Sequence, residues 1–154
     1  MSVALQVVAG ALLRDDQVLI AERPAGRHLA GRWEFPGGKI STGESDAEAL
    51  ARELLEELGV RIHASVHLMT LTHDYPDRSV ELRLYAVSGF DGEPQGLDGQ
   101  RLRWVPIAQL GAEDILEADR PFIEALQQLF SASTGSRTQT GSRTITGSSI
   151  IVTP

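Results

Sequence analysis

The sequence predicts an α/β domain, a mixed β-sheet with helices packed on its faces. Three observations lead there. Apolar runs of strand length interleave with two helical segments in the order βββαβββα. The first of those helices carries a complete N-terminal signature. The second is amphipathic, as a helix lying on a sheet must be. With 154 residues, 42% apolar and 23% charged, the chain has the composition of one soluble globular domain.

Each element follows from local pattern. Val3 to Leu13 is rich in Val, Ala and Leu, and Arg14-Asp15-Asp16 breaks it before the apolar run Val18 to Ala21, which reads as a hairpin. From Arg23 to Gly43 the chain carries Pro24, Gly26, Gly31, Pro36, Gly37, Gly38 and Gly43, so a long loop is expected, with a short extended Trp33-Glu34-Phe35 inside it. Loops of this length inside compact domains are usually functional. Ser45 and Glu48 form a capping box, and Gly59 followed by Val60 ends the helix with a left-handed cap. Strands are expected at Val66 to Thr72, Val80 to Ser88 and Leu102 to Val105. Pro121 to Phe130 places Phe122, Ile123, Leu126, Leu129 and Phe130 at helical spacing, with Pro121 in the first turn.

Beyond Phe130 the composition turns to Ser, Thr and Gly. Three hexads, TGSRTQ, TGSRTI and TGSSII, start at Thr134, Thr140 and Thr146. Three short repeats cannot build a solenoid core, so residues 131–154 read as a tail or linker beside a domain at 1–130. In that reading Ile150-Ile151-Val152 either pairs as an edge strand or marks the approach to a further domain.

Composition also excludes chemistry. The chain has no Cys, which removes disulfides, thiol nucleophiles and Cys-type zinc or iron-sulfur sites, and fits a reducing, cytoplasmic setting. A net charge of −7 opposes sequence-independent binding to duplex nucleic acid. Met1 to Gly10 lacks a basic segment and its apolar stretch is interrupted by Gln6, so no signal peptide is expected. No run of about 18 apolar residues predicts a membrane span.

The chemically telling segment runs from Gly38 to Val60, GKISTGESDAEALARELLEELGV. At 100° per residue Glu53, Glu56 and Glu57 share one arc of the helix, while Leu50, Leu54 and Leu58 fill the neighbouring arc. Three carboxylates this close repel one another unless a cation neutralises them, and hard oxygen ligands suit magnesium, with manganese as a substitute. Arg52, four residues before Glu56, can pair with it. Pro36-Gly37-Gly38 can bring bare backbone close to a metal or phosphate. A solvated Glu-rich face is the bland alternative. It must explain seven fixed identities, which coincide by chance on the order of once in 10⁸ starting positions at roughly 7% usage each.

This segment resembles the Nudix box, Gly-x5-Glu-x7-Arg-Glu-U-x-Glu-Glu-x-Gly-U with U aliphatic, at every position: Gly38, Glu44, Arg52, Glu53, Glu56, Glu57 and Gly59 with Leu54 and Val60. The resemblance extends over roughly Val3 to Phe130 and is closest to the MutT branch, which sanitises oxidised guanine nucleotides and so avoids mutation. It implies an α/β/α sandwich that hydrolyses a nucleoside triphosphate such as 8-oxo-dGTP to the monophosphate and pyrophosphate. It implies magnesium held by Glu53, Glu56, Glu57 and the carbonyl of Gly37 or Gly38, with Asp98 completing the set. Glu53 would serve as the base, with Asp98 as its rival. Arg23, His28, Glu34, Phe35, Pro36, Gly37, Arg78 and Asp119 would bind substrate. A monomer or weak dimer is expected. His63, His67 and His73 match nothing and are read as structural or surface residues.

Asp119 departs from the branch's pattern, which has an Asn reading the six-position carbonyl and the protonated seven-nitrogen of oxidised guanine. An ionised Asp only accepts hydrogen bonds, and a protonated one could donate to the carbonyl. As an alternative, Asp119 caps the helix beginning near Pro121. Two rival functions stand beside the main reading: a Nudix hydrolase of ADP-ribose, a dinucleoside polyphosphate or a nucleotide sugar, and a non-catalytic Nudix-fold module that reads a base.

Overall fold

The computed structural model describes the backbone of residues 4–140 and the side chains of residues 4–132. Strand β1 (Leu5–Arg14) turns through Asp15, at φ 56°, into β2 (Gln17–Glu22). Asp is one of the few side chains that accept this left-handed backbone, so the Asp-Asp break makes a tight hairpin. The C-terminal end of β1 pairs with β2 at Leu13↔Val18, and its N-terminal half pairs elsewhere. There β1 runs parallel to β6 (Arg78–Asp91) from Leu5↔Val80 to Leu12↔Val87, and β6 is antiparallel to the edge strand β5 (Arg61–Tyr75). On the side of β2 away from β1 lies β7 (Leu102–Pro106), and opposite β7, beyond the last residues that pair with β1, Ala21 and Glu22 pair with the short β3 (Trp33–Glu34).

Side-chain alternation along β1 divides the interior in two. Val8 and Leu12 join Leu50, Leu54, Leu58, Val60 and Val87 under α1 (Asp46–Leu58). Ala9 and Ala11 join Ile20, Leu84, Val105, Phe122 and Leu126 under α2 (Arg120–Thr140). The result is helix on sheet on helix, a mixed sheet in a three-layer sandwich, as the sequence predicts. Leu50, Leu54 and Leu58 are fully buried, and each stabilises the fold by about 1.5 to 3 kcal/mol through burial alone.

The predicted caps of α1 form. Ser45 accepts from the Glu48 amide, the Glu48 carboxylate accepts from the Ser45 amide, and Gly59 sits at φ 74° with its N–H on the carbonyl of Leu55. Asp46 and Glu48 in the first turn also favour the helix dipole.

Three elements differ from expectation. The segment from Arg23 to Gly43, read as loop apart from residues 33–35, contains a further strand β4 (Gly37–Lys39) paired with β1 at Val7↔Lys39, Val8↔Gly38 and Ala9↔Gly37. Glycines carry no side chain to alternate, so the strand leaves no periodic trace. β5 is 15 residues long, where only Val66 to Thr72 was expected. It lies at a sheet edge with bulges near Ala64 and His67, so few of its side chains need be apolar. α2 starts at Arg120 behind a 3-10 turn at Glu117–Asp119 and continues past Phe130 to Thr140. The expected domain boundary after Phe130 therefore falls within a continuous helix, because propagating a formed helix costs far less than starting one. Ile150 to Val152 lie outside the described residues. No described helix is long and apolar enough to cross a membrane.

Because the capping box sets where the acidic helix begins, Ser45→Ala is expected to destabilise the protein by about 1 kcal/mol. Urea unfolding checks this, and an unchanged midpoint would show that tertiary packing alone fixes the start of α1.

Candidate active site

Between β3 and β4 the chain steps from β2 across to β1 at Phe35-Pro36. Pro36 has no N–H, and its carbonyl accepts from Gly10 at 2.8 Å. The Phe35 amide, freed from strand pairing, donates to Oδ2 of Asp119 at 3.1 Å. Gly37 then lies so close to β1 that a Cβ would overlap the Val8 carbonyl, and at Gly38 a Cβ would overlap the carboxyl of Glu53. Gly37 thus packs bare backbone on β1, and Gly38 packs it against Glu53 on the acidic face of α1.

On that face Arg52 is the organiser. Its Nε and Nη2 donate to Glu44 at 2.6 and 2.9 Å, Nη2 also reaches the Lys39 carbonyl at 3.1 Å, and Nη1 reaches Glu53 at 3.0 Å. The expected pairing with Glu56 is its longest carboxylate contact, 3.3 Å, to a side chain 60% exposed. A long, exposed pair at (i, i+4) binds weakly, whereas Glu44 offers two oxygens in a fork. Hydrogen bonds from Arg52 and the Ser41 amide hold Glu44 down to about 2. Thus Arg52 ties the β4–α1 loop to the helix and fixes Glu53.

Glu57 has no such relief. Burial first, then the charge of Glu53, with Glu34 and Asp98 adding to it, pushes its carboxyl up to about 8. Among the described residues no three acids or histidines already converge as a cage for a cation. Glu56 is turned toward Arg52, and Asp98 is exposed, with its own amide held by Gln100. The donor set nonetheless suits a hard divalent cation: Glu57 and Glu53 are neighbours, further acids add negative charge at Glu57, and the glycine backbone adjoins them.

A cavity of about 650 Å³ opens beside this face. Its lining takes in Phe35, Val80, Leu82, Leu116, Ala118 and Asp119 together with Gly37, Gly38 and Glu57. Arg23, Arg27, Lys39 and Arg78 line it as cations. The size suits a nucleotide, and an apolar lining with a few placed polar groups suits a base. Arg23 is engaged: Nη1 donates to Glu34 at 2.8 Å and Nε to the His28 carbonyl at 2.7 Å, which ties the 23–32 loop over the cavity.

Of the predicted site residues, the cavity brings together Arg23, His28, Glu34, Phe35, Gly37, Gly38, Glu57, Arg78 and Asp119. Pro36 is buried beside it, Glu53 lies behind Gly38, and Arg52, Glu56 and Asp98 stand outside its lining. Asp119 stands directly before α2, as the capping reading has it, but its carboxyl bonds away from that helix. Its carboxyl is 5% exposed and bonds the amide of Phe35 across the domain. Sequence reasoning assigned no site role to Tyr75, Arg27, Lys39 and Leu29, which also line the cavity. Tyr75 belongs to the turn of the β5–β6 hairpin, and only pairing of those strands places that turn over the cavity.

Comparison with known proteins agrees with this arrangement. A family model described as a NUDIX domain matches residues 8–125. The 8-oxo-dGTP diphosphatase of Escherichia coli is 36% identical over 126 residues, 81% of this chain and 98% of that protein. The CTP pyrophosphohydrolase of the same organism is 35% identical over 128 residues, 83% of this chain and 95% of that protein. The solution structure of the E. coli ORF135 protein superposes with a TM-score of 0.76 at 35% identity, covering 84% of this chain and 92% of that one.

Two acids raised in the folded state give stability a definite pH dependence. Glu57 rises from 4.5 to about 8 and Asp119 from 3.8 to about 7, so in the unfolded chain both ionise first. The folded state then binds more protons, and stability falls as pH climbs from about 4 to about 8. We expect the chelator-treated protein to melt at progressively lower temperature across that range, and the double variant Glu57→Gln, Asp119→Asn to show a flatter profile. A wild-type melting temperature independent of pH over that window would contradict it.

Proposed function

Because the chain belongs to the Nudix family, in its MutT-like branch, we propose that it is a magnesium-dependent pyrophosphohydrolase that cleaves nucleoside triphosphates, oxidised 8-oxo-dGTP among them, to the monophosphate and pyrophosphate. The observation that carries this reading is one cavity whose lining joins apolar residues, Phe35, Val80 and Leu82 among them, to Gly37, Gly38 and Glu57. The relatives' names include both an oxidised purine and a cytidine nucleotide, so base choice is a matter for the apolar part of the cavity lining.

In this reading Glu53, Glu56 and Glu57, the carbonyl of Gly37 or Gly38, and Asp98 hold the cation. When bound, magnesium supplies positive charge against the phosphate oxygens and polarises the attacking water. The remaining steps belong to the chain. Arg78, Arg27 and Lys39 line the cavity as cations that suit the phosphates, and Arg23 holds Glu34 and the 23–32 loop in place. Glu53, fixed by Arg52 at 3.0 Å, accepts a proton from water as its oxygen attacks the β-phosphorus. The new O–P bond forms as the bond to the bridging oxygen of the α-phosphate breaks. That oxygen keeps the electron pair, and the nucleoside monophosphate leaves.

We place the protein as a monomer or weak dimer. We place the catalytic unit in residues 1–130, with 131–154, which begin as the last turns of α2, contributing nothing to the chemistry, and the enzyme in the cytoplasm.

A panel of nucleoside triphosphates with magnesium, scored for pyrophosphate against orthophosphate, tests the reaction. Pyrophosphate is expected, and Glu53→Gln and Glu57→Gln should each lower kcat by roughly a hundredfold or more, the scale of losing one transition-state electrostatic contact. Both variants should keep the wild-type circular dichroism. Near wild-type turnover in both would remove these carboxylates from the chemistry.

A further inference from the structure

The loop from Gly92 to Arg101 joins β6 to β7 and carries Asp98 past the C-terminal end of α1. A helix ends with carbonyls that have no partner inside it, and this loop supplies partners. The Gln95 amide donates to the Leu58 carbonyl at 3.0 Å, and the Leu97 amide to the Glu57 carbonyl at 3.1 Å. Gly99, at φ 83°, then turns the chain and donates to the Gly96 carbonyl at 3.0 Å, which leaves Asp98 within a tight turn. Beyond the turn the Arg101 carbonyl accepts the Glu22 amide at 2.9 Å and anchors the loop to β2.

Gln100 closes the turn from within. Its Nε2 donates to the Glu57 carbonyl at 3.3 Å, and its Oε1 accepts the Asp98 amide at 2.9 Å. Gly96 makes room for it: a Cβ there would overlap the Gln100 carbonyl and stand 3.1 Å from Oε1. The bridge needs a donor and an acceptor on one side chain, which an amide has, whereas Glu only accepts and Lys only donates.

Neither bond is required to satisfy a buried group. The Glu57 carbonyl already accepts the Leu97 amide, and Asp98 is exposed, so water can serve its N–H. What the two bonds add is a fixed relation between the backbones of Glu57 and Asp98, two acids near enough that the charge of Asp98 is felt at Glu57. Gln100 and Asp98 both stand outside the lining of the nucleotide cavity.

Resting on the pyrophosphohydrolase reading and its cation set, we propose that Gln100 is a positioning residue: by bridging the Glu57 carbonyl and the Asp98 amide, it holds the Asp98 carboxylate against α1, so that loop and helix bind the divalent cation as one site. Without the bridge the helix carboxylates remain, and Asp98 is no longer indexed to them. Partners that orient metal ligands in this way typically control affinity by about tenfold or more.

Manganese(II) is the probe, titrated into the metal-free protein without nucleotide, with the free ion read by electron paramagnetic resonance. Gln100→Met, which keeps length and removes both bonds, should weaken binding by roughly tenfold. Asp98→Ala should weaken it at least as much, and adding Gln100→Met to Asp98→Ala should cost nothing further, because residues that act through one another are not additive. In turnover the half-saturating magnesium concentration should rise with the same pattern, while KM for the nucleoside triphosphate at saturating magnesium stays at the wild-type value. If Gln100→Met does not fold, Gln100→Asn, whose amide is one methylene too short to reach both partners, takes its place with the same expectations. Wild-type manganese affinity in Gln100→Met, even with a lowered melting temperature, overturns the proposal and leaves Asp98 in the cation set. So does a second loss of similar size when Gln100→Met is added to Asp98→Ala. Wild-type affinity in Asp98→Ala removes Asp98 from the cation set, and the proposal falls with it. Release of no pyrophosphate from any nucleoside triphosphate overturns the pyrophosphohydrolase reading instead, and the manganese titrations still decide the role of Gln100.

Discussion

The close approach of Gly37-Gly38 to its neighbours is the constraint on which the rest of the molecule depends. One glycine lies on the carbonyl of Val8 and the next on the carboxyl of Glu53, distances that no side chain at either position would permit. Through this contact a strand of three residues joins the middle of the sheet to the acidic face of α1. Arg52 secures the same junction from the other side by holding Glu44, Glu53 and the Lys39 carbonyl together. The helix is in turn registered at one end by the capping box and at the other by Gly59. Its carboxylates therefore face the glycine backbone through rigid elements, which is what a metal-phosphate site needs.

A consequence of the same step is the cavity. Moving from β2 to β1 at Phe35-Pro36 interrupts the ladder and leaves an amide pointing into the α2 side of the sandwich. Asp119 satisfies that amide, so the loop before α2 is fastened to the centre of the sheet by one hydrogen bond through the wall of the cavity. The charge layout follows. A chain of net charge −7 still gathers Arg23, Arg27, Lys39 and Arg78 around a polyanion-sized cleft. One of them, Arg23, is largely consumed in neutralising Glu34 and fastening the loop. Burial prevails over Arg23 at Glu34, whose carboxyl is raised above the ordinary carboxylate range.

Legibility in the sequence followed the range of the interaction. The capping box, the left-handed Gly59, the Asp-Asp hairpin turn and the burial of Leu50, Leu54 and Leu58 are set by residues within a turn or two of one another, and they form as read. The carboxylate arc of α1 is equally local, a matter of 100° per residue. β4 was missed because glycine has no side chain to show a period, and the ends of β5 because an edge strand can be largely polar. The pairing of Arg52 with Glu56 was inferred from helix spacing, but Glu44, eight residues back, competes better because a turn of loop brings it into the fork of the guanidinium.

The sequence by itself determined the fold class, the acidic helix with its caps, and the chemistry that three carboxylates and two glycines can support, because periodicity and capping act over a few residues. Only the tertiary structure decided which face of Asp119 is used, that Tyr75 lines the cavity, and that Arg23 serves Glu34. Those outcomes join residues up to 84 positions apart, as Phe35 and Asp119 are. Whether a buried carboxyl caps its own helix or bonds a distant amide depends on which unsatisfied N–H the packed sheet presents to it, and no local pattern contains that information.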